Sequence, residues 1–232
     1  MLRSIVSRNP VFTRGFRTFA PALVQAGQAV PTAPVHENSP GNSVNLAAET
    51  ANVSFNLLFH HYLTRSWCNS RSRVAGSCSI RTQLTFLQAH EHILTKKISQ
   101  GKSIIVGVPG AFSPACSASH APGYIKLSKE FQDKGISNIF IVAVNDAFVT
   151  KAWNDQLGND PEVSHVRFVA DASGDFSKEF GSLVDEASKF FGNARTQRFA
   201  AVVEDGKVKI AFVEPDNFGL DVSRAENVVK SL

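Results

Sequence analysis

Residues Val106 to Tyr124 read VGVPGAFSPACSASHAPGY, and the rest of the chain can be understood as support for them. The β-branched run from Ser103 to Val108 predicts a buried strand ending at Pro109-Gly110, and the amphipathic stretch from Pro114 to Lys134 predicts a helix. Ser113 suits an N-cap and Pro114 a first helical position, which puts Cys116 third in the helix. Backbone N–H groups in that turn have no intrahelical partner, and together with the positive end of the helix dipole they favour a thiolate. A lone cysteine is most often a small buried apolar residue. Its place where strand hands over to helix argues instead for chemistry.

Beyond this junction, Asn138 to Val144 predicts a strand, Ala147 to Leu157 a helix holding Trp153, and Val166 to Ala170 a third strand. Asp175 to Phe180 reads as a short helix and Lys189 to Gly192 as a phenylalanine-rich turn. Arg198 to Val203 and Val208 to Val213 read as strands joined by Asp205-Gly206, a strong hairpin signal, and Val222 to Ser231 as a closing helix. Strands alternating with helices, then a hairpin and a helix, is an α/β order, that of the thioredoxin fold. No internal repeat is present.

Pro109-Gly110-Ala111-Phe112-Ser113-Pro114-Ala115-Cys116 resembles the peroxidatic motif of peroxiredoxins: proline, three residues, threonine or serine, two residues, cysteine. The flanking VPGAFSPACSASHAPGY is similar to the peroxiredoxin 5 branch, and the likeness covers most of Pro21 to Asn52 and Gly101 to Leu232. It includes ENSPGNSVNL before the motif and FGNARTQRFAAVVEDGKV after it; Ala29 to Val35 and Asn42 to Thr50 resemble the opening hairpin and loop. The resemblance implies a thioredoxin fold of the peroxiredoxin type, with a central mixed sheet flanked by helices, and a homodimer.

The resemblance also assigns roles. Cys116 would attack a hydroperoxide as thiolate and become a sulfenic acid. Ser113 takes the hydroxyl position that aligns the O–O bond, without the methyl group that restricts threonine. Arg198 matches the distant arginine whose fixed charge stabilises the thiolate and the departing oxygen. A strand arginine is ordinarily a solvated charge, but the setting Gln197-Arg198-Phe199 favours the functional role. Pro109 would shield the sulfur from water, and free amides at Ala115 and Cys116 would complete the oxyanion site. His120 is not needed as a base and is expected to be structural or at the surface. Apolar neighbours such as Phe112 and Phe191 suit alkyl peroxides.

The position of the family's second cysteine matches Val222, which leaves only Cys68 and Cys78 besides Cys116. A one-cysteine cycle is therefore expected, with no cofactor and with thioredoxin or glutathione and glutaredoxin as external reductant. Two other classes use the same residues differently: a redox sensor or relay, and a non-catalytic thioredoxin-fold interaction protein.

The chain has 232 residues, 43% of them hydrophobic, and a net charge of +4 with uneven distribution. Arg3, Arg8, Arg14 and Arg17 precede the first acidic residue, Glu37, and residues 53 to 100 carry net +5, so the remainder is net −5. A nucleic-acid partner loses its main support, and no apolar run is long enough to predict a membrane span. Residues 1 to 20, rich in arginine and serine, read as a mitochondrial transit peptide cleaved near Arg17 to Ala20. The mitochondrial matrix is the expected location, with cytoplasm or peroxisome as alternatives; Lys230-Ser231-Leu232 falls short of the Ser-Lys-Leu signal. By the resemblance, residues 21 to 232 would form the peroxiredoxin domain, interrupted by Val53 to Gln100, which has no counterpart in the family pattern. Val53-Ser54, Leu94-Thr95 and Gln100 can be encoded by intron start, branch and end sequences, in order and in frame, so the segment reads as a translated retained intron. Sequencing the spliced message tests this. The histidines of the segment with Cys68 and Cys78 fit no compact zinc-ligand spacing.

Overall fold

A computed structural model describes residues 23–51 and 101–232. In chain order it begins with β1 (Val35–Glu37), β2 (Ser43–Val44), α1 (Leu46–Thr50) and β3 (Lys102–Val108). A π-helical turn (Cys116–His120) runs into α2 (Ala121–Lys126) and α3 (Ser128–Asp133). Then come β4 (Ile136–Ala143), α4 (Ala147–Gln156), α5 (Pro161–Ser164), β5 (Val166–Ala170) and α6 (Asp175–Glu179). The last part holds β6 (Leu183–Val184), a 3₁₀ turn (Asp185–Ala187), α7 (Ser188–Phe191), β7 (Arg195–Thr196), β8 (Phe199–Glu204), β9 (Lys207–Val213) and α8 (Ala225–Lys230).

Among the described residues one sheet has seven strands in the order β2-β1-β5-β4-β3-β8-β9, and β6 pairs with β7 separately. β3, β4 and β5 run parallel, and β8, β9, β1 and β2 join antiparallel, giving the expected mixed sheet. β3 is buried at every position after Lys102, as a central strand covered on both faces must be. Ile104, Val106 and Val108 face a core with Cys116, Tyr124, Phe131, Trp153 and Val228, while Ile105 faces the opposite core with Phe140, Phe176, Phe180 and Phe199. Period-two alternation thus divides one strand between two cores. At Gly107 a Cβ would lie 2.2 Å from Phe199 Cε1, so only glycine lets β8 close on β3 here.

The predicted elements are present with shifted ends. The helix expected over Pro114 to Lys134 opens at Pro114 but is wide over Cys116–His120, where the Ala121 N–H donates to Cys116 C=O, and it turns at Leu127. Pro122 lacks the N–H that would bond Ala118 C=O in an α-helix, which weakens α geometry at this turn. The closing helix begins at Ala225 rather than Val222, because the Asp221 and Ser223 amides donate to Glu214 Oε1 instead. Val35 pairs with Val44 across the opening hairpin, whereas Ala29 lies earlier and bridges to Lys207.

The readings made for residues 1 to 20 and 53 to 100, Cys68 and Cys78 included, lie outside the described residues. Those on either side of the second segment meet one feature: Thr50 C=O accepts from Gly206 N–H at 3.1 Å, and Lys102 pairs with Glu204, so both reach the β8–β9 hairpin. No described helix is long and apolar enough to cross a membrane.

Candidate active site

Cys116 is wholly buried, one turn beyond β3. The first backbone bond of its helix runs from Ser117 N–H to Ser113 C=O at 2.9 Å, so the Ala115 and Cys116 amides belong to the unbonded first turn, as expected. Ser113 holds the N-cap position, but its hydroxyl does not cap. It donates to Gly110 C=O at 2.9 Å, tightening the turn that follows Pro109. Phe112 sits in that turn with φ +61° and is 47% exposed; it does not line the cleft, contrary to expectation.

β8 and its approach bring Arg198 across the molecule to the sulfur. Arg198 Nη1 donates to Cys116 Sγ at 3.3 Å and to His120 Nδ1 at 3.0 Å, and Nε donates to Phe218 C=O at 3.0 Å. Arginine has donors only, so Nδ1 must be the acceptor, and the imidazole proton sits on Nε2, which donates to Ser223 C=O at 3.1 Å. The His120 pKa is pushed down to about 3, first by burial and then by the charge of Arg198, so the ring is neutral near pH 7. The surface alternative for His120 is corrected: it is 1% exposed. The clue in the sequence was its spacing of four from Cys116, which places both on one side of the helix.

Behind this pair lies a shell the sequence reading missed. Tyr124 donates its hydroxyl to Ser223 C=O at 2.8 Å, and burial pushes its pKa upward. Glu214 Oε1 accepts from the Asp221 and Ser223 amides and, at 2.6 Å, from the Ser223 hydroxyl. Burial opposes ionisation of Glu214, but those bonds and one from Val222 outweigh it and hold its pKa below the ordinary value. The Glu214 N–H in turn donates to Arg198 C=O at 3.1 Å. Val222, the residue the resemblance matches to the family's second cysteine, lies between the Asp221 and Ser223 amides that donate to Glu214 Oε1.

A cleft of about 340 Å³ opens over the site. Pro109, Ser113, Pro114 and Ala115 line it together with Phe190, Phe191, Phe218 and Arg198. Arg198 therefore reaches from the sulfur to the cleft lining, and its Nη2 bonds to none of the described residues. Phe191 lines the cleft as expected, while Phe190 and Phe218 complete the aromatic wall in place of Phe112. Among the described residues no group of three or more histidine, cysteine or acidic side chains is placed to hold a metal.

A family model described as Redoxin matches residues 83–229. The chain belongs to the redoxin family, as a peroxiredoxin of the peroxiredoxin 5 type. This peroxiredoxin is 54% identical over 134 residues to peroxisomal membrane associated protein 20 of Schizosaccharomyces pombe, covering 58% of this chain and 84% of that one. It is 40% identical over 153 residues to peroxiredoxin-2C of Arabidopsis thaliana, covering 64% and 91%. Its fold is similar to that of reduced Prx3 from Vibrio vulnificus in complex with H2O2, with TM-score 0.62, 26% identity and coverage of 90% and 100%. Peroxiredoxin 5 from Alvinella pompejana superposes with TM-score 0.59, 25% identity and coverage of 90% and 99%. This peroxiredoxin is a thiol peroxidase of the thioredoxin fold with an antioxidant function.

Proposed function

We propose that Cys116 is the peroxidatic residue and that Ser113, Arg198 and Pro109 form its immediate catalytic surroundings. The observation that carries this reading is the 3.3 Å contact of Arg198 Nη1 with a fully buried Cys116 Sγ, Arg198 and the neighbouring Ser113 to Ala115 lining an apolar cleft. The thiolate attacks the terminal oxygen of a hydroperoxide bound in the cleft. An S–O bond forms as the O–O bond breaks, sulfur gives up two electrons, the leaving oxygen takes the hydroperoxide proton to depart as water or an alcohol, and the sulfenate left behind takes a proton from water to become the sulfenic acid. Arg198 Nη2 and the Ala115 and Cys116 amides are available to the peroxide oxygens, where negative charge grows. Pro109 and the phenylalanines keep competing water from the sulfur. His120 acts through Arg198: its Nδ1 directs one N–H of Nη1, leaving the other aimed at sulfur.

External thiols complete the cycle. Two thiols, from thioredoxin or from glutathione with glutaredoxin, reduce the sulfenic acid to thiol and water and become a disulfide. The cycle needs no cofactor. The cleft supports both hydrogen peroxide and organic hydroperoxides as substrates. The peroxiredoxin 5 resemblance supports a homodimer. The arginine-rich residues 1 to 20 support the mitochondrial matrix, while the relative named as peroxisomal membrane associated supports the peroxisomal alternative; organelle fractionation separates the two.

The test is rapid-mixing oxidation of the full chain with H2O2, followed by mass spectrometry of each cysteine. Fast conversion of Cys116 to sulfenic acid, abolished by Cys116→Ser, is expected. Absence of Cys116 oxidation would favour the interaction reading, and slow turnover after a fast first oxidation the relay reading.

A further inference from the structure

The aromatic wall of the cleft has little to hold it. α7 (Ser188–Phe191) is a single helical turn with no buried residue, ended by Gly192 at φ +80°, and Phe190 is 81% exposed. What meets Phe191 is Arg195, whose guanidinium carbon lies 5.0 Å over the centre of the ring. Arg195 is itself fixed in two directions: Nη1 donates to Val144 C=O at 2.9 Å, beyond the end of β4, and Nε donates to Asn193 Oδ1 at 2.8 Å. Next to Val144, Asn145 Oδ1 accepts from the Ala111 N–H at 3.0 Å, tying the same corner to the turn that carries Ser113. These parts meet at Gly110. A Cβ there would lie 3.3 Å from Arg195 Nη1, 3.6 Å from Phe191 and 3.7 Å from Asn145 Oδ1.

We propose that Arg195 is a specificity-determining positioning residue, which holds Phe191 against the Gly110 turn and so sets how well this peroxiredoxin accepts bulky organic hydroperoxides relative to H2O2. The inference rests on the proposed use of the cleft as the peroxide site. H2O2 needs only the sulfur, Arg198 and the turn, none of which Arg195 touches through a hydrogen bond. An organic hydroperoxide must also lay its carbon substituent along the wall, where the position of Phe191 decides the fit. Arginine suits this work because its planar fork can bond two acceptors while its face covers a ring. Burial lowers the Arg195 pKa from its ordinary value, yet arginine stays charged, and a partly desolvated cation binds a ring face more strongly.

The test measures Cys116 oxidation by H2O2 and by cumene hydroperoxide, an aromatic hydroperoxide, in the full chain and in Arg195→Ala, Arg195→Lys, Phe191→Leu and the Arg195→Ala/Phe191→Leu double variant. Arg195→Ala is expected to lower the cumene-to-H2O2 rate ratio roughly 3- to 30-fold, the range a cation–π contact spans, with the H2O2 rate kept. Arg195→Lys, which keeps charge but not the fork, should fall between. The double variant should lose no more selectivity than Phe191→Leu alone, because the two residues act as one unit. An unchanged ratio with a normal H2O2 rate, or equal loss toward both peroxides, overturns the proposal. If Arg195→Ala fails to fold, the ratio in Arg195→Lys decides in the same way. Failure of unaltered Cys116 to react with H2O2 at all would overturn both this inference and the proposed function.

Discussion

Arg198 Nη1 carries two N–H groups and serves two acceptors, sulfur and imidazole, so the direction of one bond constrains the other. Lysine keeps the charge but cannot hold this fork and the Nε bond to Phe218 together. Arg198→Lys is therefore expected to slow Cys116 oxidation by about 10²-fold, the usual scale for losing an aligned donor at a reacting oxygen; stopped-flow mixing with H2O2 checks it. His120→Gln can retain an acceptor for Arg198 where His120→Leu cannot, so the glutamine variant should be the faster of the two. His120 also gives the fold a signed acid response. Its folded pKa of about 3 lies below its ordinary value of 6.5, so below pH 6.5 the unfolded chain takes up a proton that the folded one refuses. Stability from this group is intact above pH 6.5 and falls as pH drops toward 3, by up to about 1.4 kcal/mol per pH unit. Urea midpoints measured across that interval should show a shallower loss in His120→Gln; parallel curves would remove His120 as the cause.

Strand β3 and the Glu214 carboxylate show how whole elements are aimed. Gly107→Ala would drive a methyl group into Phe199 Cε1 and to within 2.8 Å of Gln197 C=O, on both sides of Arg198. It is expected to cost about 1–3 kcal/mol, the scale of core overpacking, and to slow Cys116 oxidation by moving Arg198; thermal unfolding and stopped-flow rates test the two effects. Glu214→Ala strips the acceptor from the Asp221 and Ser223 amides and should cost about 1–3 kcal/mol for the donors left unpaired. Much at this scale could be read from the residues. β5 lies where Val166 to Ala170 predicted it, and Asp205-Gly206 makes the β8–β9 turn, because both are local patterns. The wide turn after Cys116 had a local cue in Pro122, but the bond from His120 to Ser223 C=O, far along the chain, could not be read in advance, and neither could the capture of the Asp221 and Ser223 amides by Glu214 that delays α8. The same holds for His120, whose spacing was visible but whose burial against Arg198 required the fold.

At the scale of the molecule, residues on both sides of the 52–100 segment converge on one hairpin, through Thr50 with Gly206 and Lys102 with Glu204. A chain lacking Val53 to Gln100 therefore has a short gap to close rather than a sheet to rebuild. It is expected to unfold cooperatively on heating and to keep the Cys116 oxidation rate with H2O2 of the full chain. A shortened chain that lacks the cooperative transition or loses the reaction would show that these residues are needed.

The complete enclosure of Cys116 alters what a thiol-labelling experiment on this molecule would report. Cys116 has no exposed surface, so neither iodoacetamide nor a peroxide meets the sulfur until the wide turn or the cleft wall moves, and the modification rate is a clock for that opening. Raising the concentration of either reagent should bring the rate to a plateau equal to the opening rate when reclosing is the slower step, and a higher plateau for H2O2 than for iodoacetamide would show that a smaller opening admits it. Two probes of one sulfur would thus separate how reactive the atom is from how often the protein uncovers it.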